Sequence, residues 1–257
     1  MTAPVFVDPA AASAAVGDRI RVEGDEARHA VTVQRRRIGE RVDVVDGAGA
    51  RASGIIAATG DRWMEVAVDA VGRDVDPPVT LVQALAKGGR DEQAVEAAVE
   101  LGATRIVPWA SERAIVQWRG PKAAKGREKW ASLGLAAAKQ SRRAFVPVVD
   151  DAVTSKQLAA LVREAVDAGD RVLVLHEASA EPLAGLAWAD PDQPVWLIVG
   201  PEGGISDGEL DALRAAGAAA VVLGPHVLRA SSAGPAALAA LGALRGHWAA
   251  PQGHPSR

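Results

Sequence analysis

Between residues 20 and 70, apolar and polar positions alternate in short runs, which predicts the strands of a small β-barrel. Turn signals such as Asp46-Gly47 separate these runs. The predicted strands are Arg19–Val22, Arg41–Val45, Gly54–Ala57 and Met64–Val68. The segment 73–78 ends in two prolines and interrupts the pattern, because proline cannot continue regular strand pairing. We therefore predict a first domain over residues 1–74.

Beyond residue 78 the pattern changes to wholly apolar strands that alternate with helices. This pattern is typical of an α/β domain whose parallel sheet is covered on both faces. The predicted strands are Val79–Ala86, Arg105–Trp109, Val172–Leu175, Val195–Val199 and Ala219–Leu223. The predicted helices are Asp91–Leu101, Gly126–Ser141, Ser155–Ala168, Asp207–Ala216 and Ala236–Leu244. We predict a second domain over residues 79–248 and a flexible tail over residues 249–257, which has little apolar surface to dock.

Composition narrows the possible chemistry. The chain has 257 residues, 49% of them hydrophobic, which is enough for a packed core. It has no cysteine, and its five histidines lack metal-ligand spacing, so we expect no disulfide, thiol nucleophile or metal. The N-terminus lacks the pattern of a secretory signal, and no apolar run approaches the roughly 18 residues of a membrane span. We expect a cytoplasmic protein with no membrane partner.

Charge is distributed unevenly along the chain, although the net charge is only -3. Residues 105–143 contain ten Lys or Arg and two acids, whereas residues 150–257 contain seven basic and thirteen acidic residues. A basic segment of this kind suits the phosphate backbone of a nucleic acid. Taken alone, however, a charged run is more often a solvated surface.

Two glycine-bearing loops that follow predicted strands indicate a ligand pocket. The first spans Gly200–Gly204 and leads to Ser206 and Glu209, which have the spacing of a helix capping box. The second spans Val222–Gly234. Ligands of open α/β sheets bind at the carboxyl ends of strands, so we expect these loops, at neighbouring strand ends, to wall one pocket. Neither loop has a dinucleotide or nucleoside triphosphate fingerprint, and a tight strand-to-helix connection is the alternative for the first.

These motifs resemble a known family. Gly200–Gly204, Ser206–Glu209 and Leu223–Arg229 resemble the C-terminal motifs of SPOUT-class methyltransferases. Three further motifs resemble those of the bacterial 16S ribosomal RNA uridine-N3 methyltransferases, the small-subunit methyltransferase E family, namely Glu100–Gly102, Pro108–Arg113 and Ala138–Arg142. His29–Gly39 and Asp46–Gly49 resemble the PUA-like N-terminal domain of that family. The resemblance covers residues 5–246.

The resemblance implies a fold and an activity. The expected fold is a PUA-like β-barrel RNA-binding domain followed by a SPOUT-type parallel sheet with a C-terminal trefoil knot, a rare exception to unknotted chains. The expected activity is methylation of N3 of a specific uridine in 16S ribosomal RNA of the small subunit by a homodimer that uses S-adenosyl-L-methionine. By motif, the cofactor-binding residues are Leu175, His176, Glu177, Gly200, Pro201, Glu202, Gly203, Gly204, Leu223, Gly224, Val227, Leu228 and Arg229.

The chain departs from the family pattern at positions that bear on the catalytic base. Family members often have Glu-Thr-Ala where this chain has residues 231–233, Ser-Ser-Ala, an Arg where His226 stands, and a Glu where Lys139 stands. These departures leave Glu202 as the acid of the pocket motif. We expect Glu202 to receive or orient the N3 proton and Arg229 to neutralise charge on the uracil oxygens. A structural role for Glu202 within its own loop is the alternative.

Arginine suits phosphate oxygens, and aromatic side chains can stack on unpaired bases. Trp118 and Trp130 are candidates for stacking, although a tryptophan at helical spacing such as Trp130 is more often core. The predicted RNA contacts are Arg35, Arg36, Lys87, Arg90, Arg113, Arg142 and Arg143. Two other functions stay open: a knotted methyltransferase with another RNA target, such as a ribose 2′-hydroxyl, and a non-catalytic RNA-binding module for ribosome assembly.

Overall fold

The structure is a computed structural model that describes residues 3–248, and the chain divides into two compact units. The first unit contains the chain up to Asp76 together with Ala138–Val146. The second unit contains Pro77–Ala137 and the chain from Pro147 onward. The segment 138–146 thus belongs to the first unit, whereas the predicted domain boundaries assign it to the second domain. The predicted tail over residues 249–257 lies outside the described residues.

The first unit contains a mostly antiparallel sheet of five strands. The strands are β1 (Val5–Val7), β2 (Arg19–Glu23), β3 (Arg41–Val45), β4 (Ala50–Gly60) and β5 (Trp63–Arg73). Their order is β1-β3-β4-β5-β2, with β1 parallel to β3 and the other pairs antiparallel. The predicted strands at 54–57 and 64–68 are too short. The pairing of β4 with β5 extends over flanking Ala, Gly and Asp residues, whose low β propensity gave no strand signal in the sequence.

Short helical segments accompany this sheet and were not predicted from the sequence. They are Pro9–Ser13, α1 (Gly24–Arg28) and a wider turn, His29–Val33, that follows it. The segment 138–146 packs on the edge of the same unit, where Ala144 contacts the buried side chains of Val5 and Val45. The first unit therefore has a core of its own to which a later part of the chain contributes.

The second unit contains a parallel sheet of seven strands. The strands are β6 (Val79–Ala84), β7 (Arg105–Ala110), β8 (Val148–Val149), β9 (Val153–Thr154), β10 (Arg171–Leu175), β11 (Val195–Val199) and β12 (Ala219–Val221). The order is β12-β10-β11-β6-β7-β8, and β9 also pairs with β7. The helices are α2 (Arg90–Glu100), α3 (Pro121–Gln140, whose last three residues belong to the first unit), α4 (Ser155–Asp167), α5 (Asp207–Ala215) and α6 (Ala230–Leu244). The predicted parallel α/β fold is confirmed.

Helices cover both faces of this sheet, as alternate residues of β6 show. Val82 lies in a buried cluster with Leu158 of α4 and Leu210 of α5. On the opposite face, a Cβ at Gly234 of α6 would lie 2.9 Å from the Leu81 side chain, and α2 packs beside α6. Among the described residues, no helix combines the length and the apolar character needed to span a bilayer.

Two helices begin earlier than the sequence predicts. Helix α3 begins at Pro121 rather than Gly126, because proline fits the first helical position, where no N–H donor is needed. Helix α6 begins at Ala230 rather than Ala236 and contains Pro235, which we expected to lie before the helix. The short strands β1, β8 and β9 were not predicted, because two or three residues are too few to show a periodic pattern.

Candidate active site

The carboxyl ends of β10, β11 and β12 surround a cavity of about 320 Å³ in the second unit. The two glycine-bearing loops both contribute to it, as predicted. They do not follow neighbouring strands, however, because β10 lies between β11 and β12 and places His176 and Glu177 between the loops. The lining residues are Arg90, Leu175, His176, Glu177, Val199, Gly200, Pro201, Glu202, Gly204, Ile205, Val227, Leu228, Arg229, Ala230 and Ala233.

A smaller cavity of about 70 Å³ shares Leu175, His176 and Glu177 with the first. Leu223 and His226 of the second loop line this smaller space rather than the main one. Of the thirteen predicted cofactor-binding residues, only Gly203 and Gly224 line neither of these two cavities.

The first loop requires glycine at two positions. A Cβ on Gly200 would lie 2.6 Å from Cγ1 of Ile205, so a side chain there would displace the loop. Gly204 has φ of +74°, a left-handed conformation that other residues adopt only with strain. The predicted capping box is confirmed: the Ser206 hydroxyl accepts from the Glu209 amide, and the Glu209 carboxylate accepts from the Ser206 amide.

The segment after β7 holds this loop from the side. The Glu112 amide donates to Oε1 of Glu209 over 2.7 Å, and the Ser155 hydroxyl donates to the same oxygen over 2.6 Å. The Ser206 hydroxyl donates to Oε2 of Glu112 over 2.7 Å. Glu209 is 2% exposed, so its carboxylate is a buried acceptor for several donors. Sequence reasoning identified Glu209 as part of a helix cap and missed its contacts with Glu112 and Ser155, which are distant in sequence.

Arg113, a predicted RNA contact, reaches the same loop. Its Nη1 donates to the carbonyl oxygen of Gly203 over 3.3 Å and to that of Ile205 over 3.4 Å. A Cβ on Gly203 would lie 3.2 Å from Cβ of Arg113, so Gly203 faces this arginine instead of the cavity. Arg113 therefore contributes to the conformation of the loop, whatever else it binds.

The cavity contains one ion pair. Nη1 of Arg90 donates to Oε1 of Glu202 over 3.2 Å, and the two side chains are 35% and 22% exposed. Arg90 was predicted as an outer RNA contact, yet it lines the cavity itself. Arg229, at the N-terminal cap of α6, lines the cavity as well. Both predicted catalytic side chains, Glu202 and Arg229, therefore contribute to one space.

A buried aspartate fixes the turn that presents Arg90. Asp91 is 5% exposed, and its carboxylate accepts from the amides of Ala86, over 3.1 Å, and Glu92, over 2.9 Å. Burial raises the pKa of Asp91 above its ordinary value, although the two amides act in the opposite direction. Residues 86–91 are thereby held in a closed turn between β6 and α2.

The remaining predicted RNA contacts differ in their exposure and in the contacts that they already make within the protein. Arg35, with φ of +53°, and Lys87 are exposed, whereas Arg36 pairs with Glu40 over 3.2 Å. Arg143 forms an ion pair with Asp76 over 2.6 Å and has a side chain only 10% exposed. Arg142, with φ of +62°, is half-buried, and its carbonyl oxygen accepts from Arg51 over 2.9 Å.

The basic segment 105–143 is therefore less positive as a surface than its sequence suggests. Acids from other parts of the chain lie against half of its basic residues. These pairs are Arg105–Asp150, Arg127–Asp151, Lys129–Glu92, Lys139–Glu26 and Arg143–Asp76. Trp130 is also 1% exposed and belongs to the core, so it cannot stack on RNA, and Trp118 packs edge-on against it at 5.0 Å.

Sequence reasoning did not name four of the apolar residues in the cavity wall. Val199, Ile205, Ala230 and Ala233 line it beside the predicted residues. Their small or aliphatic side chains carry no chemical signal in the sequence, and only the folded arrangement of β11 and α6 distinguishes them from core residues.

Two family models match this chain, one in its N-terminal part and one over most of the remainder. The RNA methyltransferase domain family matches residues 74–242, and the RNA methyltransferase PUA domain family matches residues 22–65. The chain is 44% identical over 231 residues to the ribosomal RNA small subunit methyltransferase E of Mycobacterium bovis, covering 88% of this chain and 87% of the relative. It is 28% identical over 230 residues to the protein of the same name from Bacillus subtilis, covering 86% and 88%.

A solved structure with a bound ligand is also similar. The crystal structure of a ribosomal RNA small subunit methyltransferase E from Neisseria gonorrhoeae bound to S-adenosyl methionine matches with a TM-score of 0.80 and 29% identity. The match covers 95% of this chain and 98% of that one.

Proposed function

The chain belongs to the ribosomal RNA small subunit methyltransferase E family, and we propose that it transfers the methyl group of S-adenosyl-L-methionine to N3 of a specific uridine in 16S ribosomal RNA. The PUA domain match lies within the first unit, and most of the RNA methyltransferase domain match lies within the second. The observation that carries the proposal is the cavity at the carboxyl ends of β10, β11 and β12, where Glu202 and Arg229 lie together with most of the predicted donor-binding residues.

The residues present fit the proposed donor. A cavity of about 320 Å³ is of the size that binds small molecules, and its wall combines apolar side chains with a few polar groups. Val199, Ile205 and Leu228 offer apolar surface to an adenine ring, and Glu177 offers a carboxylate to ribose hydroxyls or to an amino group. Gly200 and Gly204 add no side chain at their positions in the first loop, so that the ligand can approach the backbone there.

Methylation at N3 requires the removal of one proton and the alignment of two reactants. When bound, S-adenosylmethionine supplies an electrophilic methyl group on its sulfonium centre. Glu202 accepts the N3 proton, directly or through a water molecule, as the N3–carbon bond forms and the carbon–sulfur bond breaks. Arg229 stabilises the negative charge that develops on the uracil oxygens. Because positioning lowers much of the barrier, a loop held in place around Glu202 favours this step.

The target base has to leave its stack before N3 is accessible, since N3 lies on the Watson–Crick edge. We propose that exposed cations bind the RNA phosphates, among them Arg35 of the first unit and Lys87 of the second. Arg36, Arg142 and Arg143 are partly committed to contacts within the protein and contribute less.

The finer features of the family complete the proposal. We propose that the sheet of the first unit closes into a PUA-like barrel and that the second unit carries the SPOUT-type trefoil knot. We also propose that the protein acts as a homodimer in the cytoplasm, where its ribosomal RNA substrate is found. Family membership supports these features.

Nucleoside mass spectrometry of ribosomal RNA tests the function directly. Small-subunit RNA from a deletion strain should lack 3-methyluridine, and the wild-type gene should restore it. Loss of a 2′-O-methylated nucleoside instead would favour the ribose methyltransferase. An unchanged nucleoside profile, together with no calorimetric signal on titration with S-adenosylmethionine, would favour the non-catalytic assembly module.

A further inference from the structure

Arg90 occupies a position that helix stability does not explain. It is the first residue of α2, after Gly89 with φ of +72°. The N-terminus of a helix carries partial positive charge, so a cation there is disfavoured by the helix itself. Yet the turn before α2 is fixed by the buried Asp91, and it directs Arg90 into the cavity, where Nη1 meets Glu202. The fold therefore maintains a cation beside the carboxylate that we assign to the N3 proton.

A paired guanidinium and carboxylate match the edge of uracil that must be presented for methylation. Uracil offers an N3–H donor between two carbonyl oxygens, whereas cytosine offers a bare N3 acceptor next to an amino donor. A carboxylate accepts from N3–H of uracil and is repelled by the N3 lone pair of cytosine. A guanidinium has five N–H donors, so Arg90 can hold Glu202 through one and donate another to the adjacent uracil oxygen.

We propose that Arg90 and Glu202 together form a uracil-reading pair, in which Arg90 determines specificity by orienting the Glu202 carboxylate toward N3 and by binding one uracil carbonyl oxygen. This inference rests on the proposed function and deepens it. It assigns Arg90 to the target base, whereas the sequence suggested a contact with the RNA backbone. Arg229, on the opposite loop, keeps its role in stabilising charge during the reaction.

The conservative substitution Arg90→Lys separates base reading from a simple effect of charge. Lysine keeps the positive charge and loses the fork that contacts two partners at once. Single-turnover methylation of small subunits from the deletion strain is measured for Arg90→Lys, for Arg90→Gln and for the exposed control Arg214→Ala on α5. Both Arg90 variants should lose about 10- to 100-fold in rate at subsaturating RNA, because the paired Arg90 and Glu202 together make two contacts with the base edge. The control should match the wild type.

Calorimetry with S-adenosylmethionine accompanies these rates. The Kd for the donor should be the same in the wild type and in both Arg90 variants, because the proposed contact is with the base. Full activity in Arg90→Lys would show that charge alone matters and would overturn the proposal. A rise in the donor Kd that accounts for the whole loss of rate would place Arg90 in the donor site and would also overturn it.

Base substitution gives the second readout. Once mass spectrometry has located the methylated uridine, RNA carrying cytidine at that position competes with the natural RNA for the wild type and for Arg90→Gln. The wild type should prefer uridine by about 10- to 100-fold, and the variant should lose most of this preference. Equal preference in both proteins would overturn the proposal. If the wild type itself forms no 3-methyluridine, the proposed function fails; if it does and only the variant result differs from expectation, the assignment of Arg90 fails alone.

Discussion

The two loops that wall the cavity are held in place to very different extents. The loop 200–206 has a turn in which the Gly204 amide donates to Pro201, a capped helix after it and cross-links from Glu112 and Arg113. Within residues 3–248, in contrast, residues 223–228 make no hydrogen bond. Val227 is 79% exposed and Leu228 is 40% exposed at the cavity mouth. The first loop is therefore held in one conformation by contacts within the protein, whereas residues 223–228 lack such hydrogen bonds.

This difference assigns separate tasks to the two loops. A group that must meet a reacting atom benefits from a rigid support, because disorder in its position raises the barrier. Glu202 is on the rigid loop. Apolar side chains that cover a ligand can be ordered by binding, at a cost in affinity. Val227 and Leu228 lie on the second loop and are exposed side chains of this apolar type.

The largest expected effect comes from the acid on the rigid loop. Glu202→Gln removes the proton acceptor while keeping the size of the side chain, so the single-turnover rate should fall by about 100-fold or more, as general bases contribute. The Kd for S-adenosylmethionine should change little. A rate equal to the wild type at neutral and alkaline pH would show that Glu202 has only a structural role.

The support of the rigid loop is tested at its buried carboxylate. Glu209→Ala leaves the Ser155 hydroxyl and the amides of Glu112 and Ser206 without their acceptor, so the free energy of unfolding should fall by about 2 to 3 kcal/mol. Urea unfolding measures the change. As a control, Asp211→Ala on the exposed face of the same helix should stay within about 0.5 kcal/mol of the wild type.

Arg113 tests whether rigidity of the loop matters for the donor. Arg113→Ala removes the two contacts with the carbonyl oxygens of Gly203 and Ile205, and the Kd for S-adenosylmethionine should rise by about 5- to 10-fold, equivalent to one or two such contacts. If Arg113 binds only RNA phosphates, the donor Kd will stay unchanged and only the affinity for RNA will fall.

Substitutions in the second loop, residues 223–228, should weaken donor binding with little effect on stability. Val227→Ala and Leu228→Ala should change the free energy of unfolding by less than about 0.5 kcal/mol, because both side chains are exposed. The donor Kd should nevertheless rise by about 3-fold for each, through the loss of apolar contact on binding. A marked loss of stability would mean that this loop is packed before the ligand binds, and the contrast between the loops would fail.

The smallest expected effect concerns the turn before α2, where the contribution of Asp91 to stability depends on pH. The pKa of Asp91 is raised by burial, so its ionisation disfavours the folded state: the stability it contributes is present in acid and is lost as pH rises from about 4 through the folded pKa. In Asp91→Asn this dependence is absent. As pH rises over that window, the free energy of unfolding of the wild type should therefore fall relative to that of Asp91→Asn. Urea unfolding at several pH values measures this difference.

Much of the second unit could be predicted from the sequence. The apolar strands at 79–86, 171–175 and 195–199 contain few polar residues because both faces of a parallel sheet are buried, and burial of this kind determines composition directly. The glycines of the loop 200–204 and the cap at Ser206 and Glu209 were visible for a similar reason, since each depends on its own backbone geometry and on residues close in the chain.

The tertiary structure alone decided which distant residues meet. Strand β10 separates the two loops, segment 138–146 completes the first unit, and Arg90 and Arg113, both predicted as RNA contacts, lie at the cavity and at its first loop. The basic stretch 105–143 loses much of its apparent charge to acids that are far away in sequence. Local pattern reports the burial and backbone conformation of each segment, whereas ion pairs and hydrogen bonds between segments depend on strand order and helix packing, which no local pattern contains.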